Sequence, residues 1–214
     1  MSCKYRINDS SLYLIITEEY CCGRPAAEVA RRAIAGGVDI IQMREKDKPF
    51  NELLAKGKEL FSVCKGKGVP FIVNDDPVLA RDIGADGIHL GQEDLRRFPI
   101  EKARDTLGAG KIIGVSTHSL VQFREAQGWG VDYVAFGPVF PTKTKDYSIG
   151  TSDIKAVALP VKKSVFFVGG IDMSNIRQLL TGGCRNIAVM RAITEAENIE
   201  DAARCLKKEM VEWQ

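Results

Sequence analysis

Eight short apolar runs, separated by segments of helical character, constrain this chain more than any other feature. Each run is nearly continuous in apolar residues, which is typical of parallel strands that are covered on both faces. The predicted strands are Leu12–Thr17, Asp39–Arg44, Pro70–Asp75, Gly87–Gly91, Ile112–Ser116, Tyr133–Val139, Ser164–Gly170 and Asn186–Arg191. Eight strands that alternate with helices predict an α/β protein with a (β/α)8 TIM barrel.

The segments between the strands carry start and stop signals of helices. Ala26–Ala35 follows Pro25 and ends before Gly36, with proline at the start and glycine at the end. We predict N-caps at Asn51, Ser119 and Ser174. The remaining predicted helices are Asn51–Lys65, Pro77–Ile83, Ile100–Leu107, Ser119–Trp129, Asp153–Ala158, Ser174–Leu180 and Glu195–Trp213.

One junction recurs along the chain and bears on its domain organisation. Gly36-Gly37-Val38-Asp39 and Gly130-Val131-Asp132-Tyr133 each close a helix with glycine and lead into a buried strand. The repetition, without a linker rich in Pro, Ser or Gly, favours one barrel domain over residues 1–214. An open doubly wound sheet stays an alternative, because sequence does not exclude a reversal in strand order.

Charge and cysteine usage indicate the partners and the compartment. Thirty basic and twenty-eight acidic side chains give +2, so no global field favours nucleic acid or an anionic membrane. Residues 1–6 lack a secretory apolar run, and no stretch approaches the roughly 20 apolar residues of a membrane span. Six scattered cysteines without C-x-x-C indicate free thiols, with Cys21-Cys22 a weak metal or redox candidate. We expect a cytoplasmic protein that binds small molecules, and leave a homo-oligomer open.

Polar side chains gather where the predicted strands end, the pole at which such barrels place their active sites. Gln42, Arg44 and Lys46 alternate at the end of the second strand, so they share one face if the strand extends that far. Arginine and lysine there suit phosphate oxygens. The competing interpretation is a solvated strand end at which Glu45 and Lys46 pair with neighbours.

Two carboxylates from adjacent strands indicate a magnesium site. Asp75 ends the third strand and Asp94 follows the fourth, and Mg²⁺ in proteins is often held by one or two carboxylates together with substrate phosphates. The alternative is helix capping. We predict that Asp76, directly before Pro77, does that capping and leaves the other two acids for the metal.

Two loops are candidates for phosphate binding. Thr142, Thr144 and Lys145 stand in a loop anchored by Pro141, where hydroxyls and backbone N–H groups suit an anion clamp. Gly169-Gly170 ends the seventh strand, beside the eighth, where these barrels often bind phosphate on backbone N–H groups. A tight strand-to-helix turn would also use glycine at this point.

The two histidines are not predicted to act as acid or base. His89 lies in an apolar strand and is expected to be a core or wall residue, and His118 is expected to belong to the start of a helix. Neither H-E-x-x-H nor a Ser-His-Asp or Cys-His grouping is apparent in the sequence. The predicted site therefore favours electrostatic catalysis over nucleophilic attack by a side chain.

Six motifs in a fixed order carry a family resemblance that runs from the first strand to the last helix. They are Ile41–Lys46, Val73–Asp76, Gly87–Asp94, Gly114–Ser116, Gly137–Lys145 and Gly169–Ile171. Together they resemble thiamine phosphate synthase. The resemblance implies that hydroxymethylpyrimidine diphosphate condenses with a thiazole phosphate to give thiamine phosphate and diphosphate. Diphosphate would depart first, and the thiazole nitrogen would capture the resulting pyrimidine cation.

The resemblance also assigns roles to single positions. Asp75 and Asp94 would hold Mg²⁺, and Gly170 with the backbone of Met190-Arg191 would take the thiazole phosphate. The residues implied in catalysis are Arg44, Lys46, Ser116 and Lys145. The residues implied in substrate binding are Gln42, Met43, Arg44, Glu45, Lys46, Asn74, Ser116, Thr142, Lys143, Thr144, Lys145, Gly170, Met190 and Arg191.

Departures from the family pattern leave alternatives. Arg191 stands where relatives commonly have Ser, and Phe167 replaces a small residue close to the glycine pair, so both bear on the thiazole site. A thiazole tautomerase of the same fold would have His in place of Pro138. A non-catalytic sensor of thiamine intermediates would have no reason to keep both Asp75 and Asp94.

Overall fold

In the computed structural model, which describes residues 10–143, 146–158 and 162–213, eight parallel strands close into a barrel in sequence order. The strands are β1 (Leu12–Ile16), β2 (Ile40–Met43), β3 (Phe71–Asn74), β4 (Gly87–Leu90), β5 (Ile112–Thr117), β6 (Tyr133–Phe136), β7 (Ser164–Val168) and β8 (Asn186–Val189). Closure runs through β1 and β8, where Tyr13 lies opposite Ala188. The predicted (β/α)8 barrel is confirmed.

Helices connect the strands and cover the barrel. They are α1 (Ala26–Ala35), α2 (Phe50–Lys67), α3 (Pro77–Ile83), α4 (Asp94–Arg97), α5 (Ile100–Leu107), α6 (Leu120–Ala126), α7 (Ile154–Ala158), α8 (Ile176–Thr181), α9 (Arg191–Thr194) and α10 (Ile199–Glu212). The predicted bounds of α1, α3 and α5 are confirmed. The short helices α4 and α9 were not predicted, because a single helical turn leaves little periodicity to detect.

The helix ends correct two predicted caps and confirm a third. Asn51 is not an N-cap, because α2 begins at Phe50 after Pro49 and continues to Gly68, which takes the left-handed conformation. Ser174 is not the N-cap of α8; its backbone N–H and hydroxyl instead donate to Asp172. Ser119 does cap α6, since its hydroxyl oxygen accepts from the backbone N–H of Gln122 at 3.3 Å.

Two apolar layers explain the continuous apolar strands. One face of the strands points into the barrel and packs a cluster of seven buried side chains: Tyr13, Ile40, Ile72, Ile112, Tyr133, Phe166 and Ala188. The other face packs against the helices in a larger cluster that contains Leu14, Ile41 and Phe136. The lower barrel is therefore a filled core, which leaves room for ligands only above it, at the carboxyl ends of the strands.

The described helices are all too short or too polar to cross a membrane.

Candidate active site

A cavity of about 800 Å³ opens at the carboxyl ends of the strands. This volume lies within the range of small-molecule sites. The predicted residues that line it are Gln42, Arg44, Lys46, Asn74, Asp75, Asp94, Ser116, Thr142, Lys143, Gly170, Met190 and Arg191. Thr144 and Lys145 lie outside the described residues. The barrel thus brings together positions that are up to 149 residues apart in sequence, from Gln42 to Arg191.

Two predicted binding residues do not point into this cavity. The Met43 side chain is buried in the outer core against α2, where a Cβ added at Gly57 would lie 3.3 Å from its Cε. The Glu45 carboxylate accepts from the backbone N–H of Glu18 at 2.9 Å and contacts Lys56 at 3.4 Å. The physical reason is the strand alternation, which sends positions 43 and 45 to the face opposite Gln42, Arg44 and Lys46.

The two predicted metal ligands meet at the mouth of the cavity. The Asp75 and Asp94 carboxyl groups lie close enough together for Asp94 to affect the ionisation of Asp75. Burial, then the interaction with Asp94, raises the pKa of Asp75 to about 7, against the opposing effect of Arg44 and Lys46. The pair therefore carries an electrostatic strain that a bound cation would relieve.

Local backbone geometry holds both acids in place. Asp75 adopts φ of +67°, an unusual conformation for a residue other than glycine, and its N–H donates to His89 O at 2.8 Å. The Asp94 carboxylate accepts from Gly91 N–H at 2.9 Å, and a Cβ at Gly91 would lie 2.8 Å from that oxygen. The Asp76 carboxylate caps α3 by accepting from the backbone N–H groups of Val78 and Leu79. The prediction that Asp76 is the cap is therefore confirmed.

The donor set at this mouth fits Mg²⁺ better than a softer metal. Two carboxylates with further positions for substrate oxygens and water are the usual magnesium arrangement. Within the described part of the chain, no group of three or more His, Cys, Asp or Glu side chains could hold a metal by itself. A metal here would depend on ligands that come with the substrate.

Cationic side chains stand beside the acids. Arg44, Lys46 and Lys143 line the cavity, and the Arg44 backbone is fixed because its N–H donates to Ile16 O at 2.9 Å. Its carbonyl accepts from the Thr17 hydroxyl at 2.6 Å, which continues the β1–β2 pairing beyond the strand. We call Arg44, Lys46, Asp75, Asp94 and Lys143 the rim. Its mixed charges suit a diphosphate bridged by a divalent cation.

The glycine pair after β7 is required by loop packing. Gly169 and Gly170 have φ of +100° and +64°, and both line the cavity. A Cβ at Gly170 would lie 2.4 Å from the Pro141 carbonyl oxygen, and one at Gly169 would lie 2.3 Å from the Pro138 Cβ. The need for glycine is therefore explained by a turn packed against the loop after β6, whether or not a phosphate also binds.

Arg191 reaches the cavity from the start of α9. Its guanidinium carbon lies 4.2 Å from the centroid of the Tyr20 ring, and its Nε lies 3.2 Å from a Glu195 carboxylate oxygen. These contacts hold a cation in the cavity that Gly170 and Met190 also line.

The bottom of the cavity is neutral and hydrogen-bonded. His89 is buried, with Nε2 2.8 Å from Ser116 Oγ and Nδ1 2.9 Å from the Tyr133 hydroxyl, which is itself 2.9 Å from the Tyr13 hydroxyl. Burial, with smaller effects from the charges of Arg44 and His118, lowers the pKa of His89 to about 3. We call Tyr13, His89, Ser116 and Tyr133 the floor. The prediction that His89 is a wall residue is confirmed.

Several lining residues were missed from the sequence. Gln92 donates from its amide to Ser116 O at 2.5 Å, and Tyr147 meets the His118 ring edge-on at 6.1 Å. Tyr13 and Tyr133 were predicted only as strand residues. Their inward orientation could have been found from strand alternation, because Tyr133 and Ala135 both line the cavity.

Comparison with known proteins adds an independent line of evidence. Residues 12–193 match the family model described as thiamine monophosphate synthase. The chain is 39% identical to the thiamine-phosphate synthase of Halalkalibacterium halodurans, over 91% of this chain and 92% of that protein. It is 39% identical to the Thermus thermophilus thiamine-phosphate synthase over 93% and 96%. The solved structure of a thiamine phosphate pyrophosphorylase from Pyrococcus furiosus superposes with a TM-score of 0.85 and 35% identity, covering 95% of this chain and 96% of that one.

Proposed function

Since the chain belongs to the thiamine phosphate synthase family, and is a transferase of that family, we propose how its own residues carry out the reaction. The reaction joins 4-amino-2-methyl-5-hydroxymethylpyrimidine diphosphate to a thiazole phosphate, and releases diphosphate as thiamine phosphate forms.

The observation that carries this proposal is the pairing of two like charges beside three cations. The Asp75 and Asp94 carboxyl groups lie close together in the cavity that Arg44, Lys46 and Lys143 also line. A neutral ligand would not compensate so many charged side chains. A diphosphate with a divalent cation has complementary charge to both sets.

In the first step the C–O bond between the pyrimidine methylene and the diphosphate breaks. The bonding electrons leave with diphosphate oxygen, and Arg44 and Lys46 stabilise the growing negative charge by donating to it. Asp75 and Asp94 would hold Mg²⁺, which when bound supplies further positive charge to the same oxygens. By resemblance, Lys145 would bind the pyrimidine diphosphate, and Thr142 and Thr144 would meet the thiazole side and the closing loop. Lys143 lines the same cavity.

In the second step the thiazole nitrogen lone pair forms a new C–N bond to the pyrimidine methylene. The thiazole phosphate is held away from the rim, at Gly170 and the start of α9, where the Arg191 cation adds charge. Ser116, Asn74 and Gln42 position the pyrimidine ring below the rim. Holding both reactants in one cavity makes capture intramolecular in effect, which lowers its entropic barrier.

Small molecules are the proposed partners, and we retain a cytoplasmic location as part of the proposal. The near-zero charge of +2 supports it, because charge gives no affinity for polyanions or anionic lipid surfaces. The sensor alternative has no specific observation in its favour.

The test is a direct assay with both substrates and Mg²⁺, following thiamine phosphate and diphosphate by chromatography. We expect equal amounts of the two products, and no thiamine phosphate when either substrate or the metal is omitted. Binding of both substrates without product would contradict the proposal and favour the sensor. A matched test of the metal assignment replaces Mg²⁺ by excess chelator.

A further inference from the structure

The floor forms a continuous hydrogen-bonded chain that begins in the barrel core and ends in the cavity. The order of polar atoms is Tyr13 hydroxyl, Tyr133 hydroxyl, His89 Nδ1, His89 Nε2 and Ser116 Oγ, with successive contacts of 2.9, 2.9 and 2.8 Å. Tyr13, Tyr133 and His89 are each at most 8% exposed. All four residues line the cavity, and of the four only Ser116, at the last position, is more than slightly exposed.

Aromatic packing fixes the members of this chain. The His89 ring is stacked with the Tyr133 ring at 5.6 Å between centroids, and Tyr133 meets Tyr13 and Phe166 edge-on at 5.9 and 5.3 Å. A Cβ at Gly114 would lie 2.0 Å from the Tyr133 ring, so this glycine leaves the space that the ring fills. These contacts pack the Tyr133 ring on several sides in the orientation that makes its hydrogen bonds.

The buried end of the chain sets the direction of its hydrogens. The Tyr13 hydroxyl lies in the inner apolar cluster, and among the described residues Tyr133 is its hydrogen-bonding partner. A buried O–H without an acceptor costs about 1–3 kcal/mol, so Tyr13 donates to Tyr133. The Tyr133 hydrogen must then be donated to His89 Nδ1, since each hydroxyl has a single hydrogen.

The same reasoning continues to the cavity. With Nδ1 accepting from the Tyr133 hydroxyl, the imidazole carries its one proton on Nε2 and donates it to Ser116 Oγ. No other side-chain hydrogen bond of Ser116 exists within the described chain, so its own hydrogen points toward the cavity. The reverse direction would leave the Tyr13 hydrogen unsatisfied in the core and would use the Ser116 hydrogen internally.

We propose that Tyr133 is a positioning residue that, through His89, holds Ser116 as a hydrogen-bond donor to the cavity, so that the bound ring presents a nitrogen lone pair to Ser116 Oγ. The identity of the ring as the pyrimidine of the diphosphate substrate rests on the proposed function. The direction of the hydrogens does not, because it follows from the protein alone.

The first test reads the tautomer of His89 in the ligand-free protein by ¹⁵N NMR of the imidazole rings. The chain has two histidines, so His118→Gln assigns the remaining signals to His89. We expect a protonated Nε2 and an unprotonated Nδ1. A protonated Nδ1 would overturn the proposal, and this result would have no bearing on whether the protein makes thiamine phosphate.

The second test asks whether Ser116 donates to a ring nitrogen. The probes are the pyrimidine diphosphate and two analogues, each with one ring nitrogen replaced by C–H, and binding is measured without the thiazole phosphate. For one analogue we expect the wild type to lose about 5- to 10-fold in affinity, the size of one hydrogen bond, with no further loss in Ser116→Ala. Equal losses in wild type and Ser116→Ala for both analogues would overturn the proposal, even if the protein catalyses the condensation.

The third test compares Tyr133 with Tyr13, its neighbour in the chain of hydrogen bonds. Tyr133→Phe removes the donor to His89 Nδ1, whereas Tyr13→Phe removes a hydroxyl of the same kind one position farther away and leaves that donor intact. We expect Tyr133→Phe to weaken pyrimidine diphosphate binding about 3- to 10-fold with inorganic diphosphate binding retained, and Tyr13→Phe to have a smaller effect. Equal effects in the two variants, or a parallel loss of inorganic diphosphate, would contradict a positioning role.

Discussion

The rim and the floor of one cavity differ in charge and in exposure to solvent. The rim is charged and partly exposed, and its Asp75 has a pKa raised to about 7 by burial and by Asp94. The floor is neutral and buried, and burial is the main cause that lowers the pKa of its His89 to about 3. Charge lies where a diphosphate would leave, and fixed hydrogen-bond geometry lies where a ring would sit. On the proposed function, bond breaking and ring recognition would therefore depend on separate residues.

The strongest test of this separation is the removal of one rim acid. We expect Asp75→Ala to lower the Mg²⁺-dependent turnover about 10³-fold, because the leaving diphosphate loses several kcal/mol of stabilisation. The fold should persist, with a thermal midpoint in chelator at least as high as that of the parent. The neighbouring Asp76→Ser is the control, since serine can still cap α3. Parent-level turnover by Asp75→Ala would disprove the metal assignment.

A smaller effect is expected from a rim cation. Lys46→Ala should lower kcat/KM for the pyrimidine diphosphate about 10²-fold, which is the usual effect of removing one hydrogen-bond donor to a developing charge. Its effect on the KM for thiazole phosphate should be much weaker. Lys48→Ala is the matched control, because Lys48 stands in the same loop but pairs with Glu52 at 2.7 Å and does not line the main cavity. Similar losses for both substrates would count against the assigned position.

Arg191 follows β8, whereas Arg44, Asp75 and Asp94 follow β2, β3 and β4, and we expect a milder effect from its removal. We expect Arg191→Ala to raise the KM for thiazole phosphate about fivefold, near the ~1 kcal/mol of one partly solvated contact, while the KM for pyrimidine diphosphate stays nearly constant. The exposed Arg185→Ala serves as the control for loss of one positive charge. A larger effect on the pyrimidine substrate would place Arg191 in the rim instead.

The smallest effect concerns stability without metal. The pKa of Asp75 lies above its ordinary value of 3.8, so the folded chain binds this proton more tightly than the unfolded chain. The resulting stabilisation is complete below about pH 4 and is lost as pH rises through about 7. In chelator, the thermal midpoint of the parent relative to Asp75→Asn should fall over this range, by ~2–4 °C for each kcal/mol lost. A pH-independent difference would contradict the raised pKa.

The sequence predicted the barrel and most of the rim for a clear physical reason. Strands buried on both faces have sequences that are continuously apolar. Gln42, Arg44 and Lys46 alternate along the chain, so they lie on one face, and all three line the cavity. The same alternation turns the Met43 and Glu45 side chains away from the cavity, so a part for either residue in binding would fall to its backbone.

The two tyrosines of the floor and the hydrogen bonds that join its four residues were not predicted, because these contacts are nonlocal. Tyr13 and Tyr133 are 120 residues apart and meet only when the barrel closes. In sequence each is one more aromatic residue in an apolar strand, and nothing local marks its hydroxyl as part of a chain. The packing reason for Gly169 and Gly170 was equally hidden, since it depends on a loop that approaches from β6.

The division between rim and floor is tested most directly by the binding of inorganic diphosphate, which has the charge of the substrate but not its ring. Calorimetry with the parent should show Mg²⁺-dependent binding, a loss of affinity of at least about tenfold in Asp75→Ala, and a change below about twofold in Ser116→Ala. Binding that is independent of Mg²⁺, or that weakens equally in the two variants, would contradict the account.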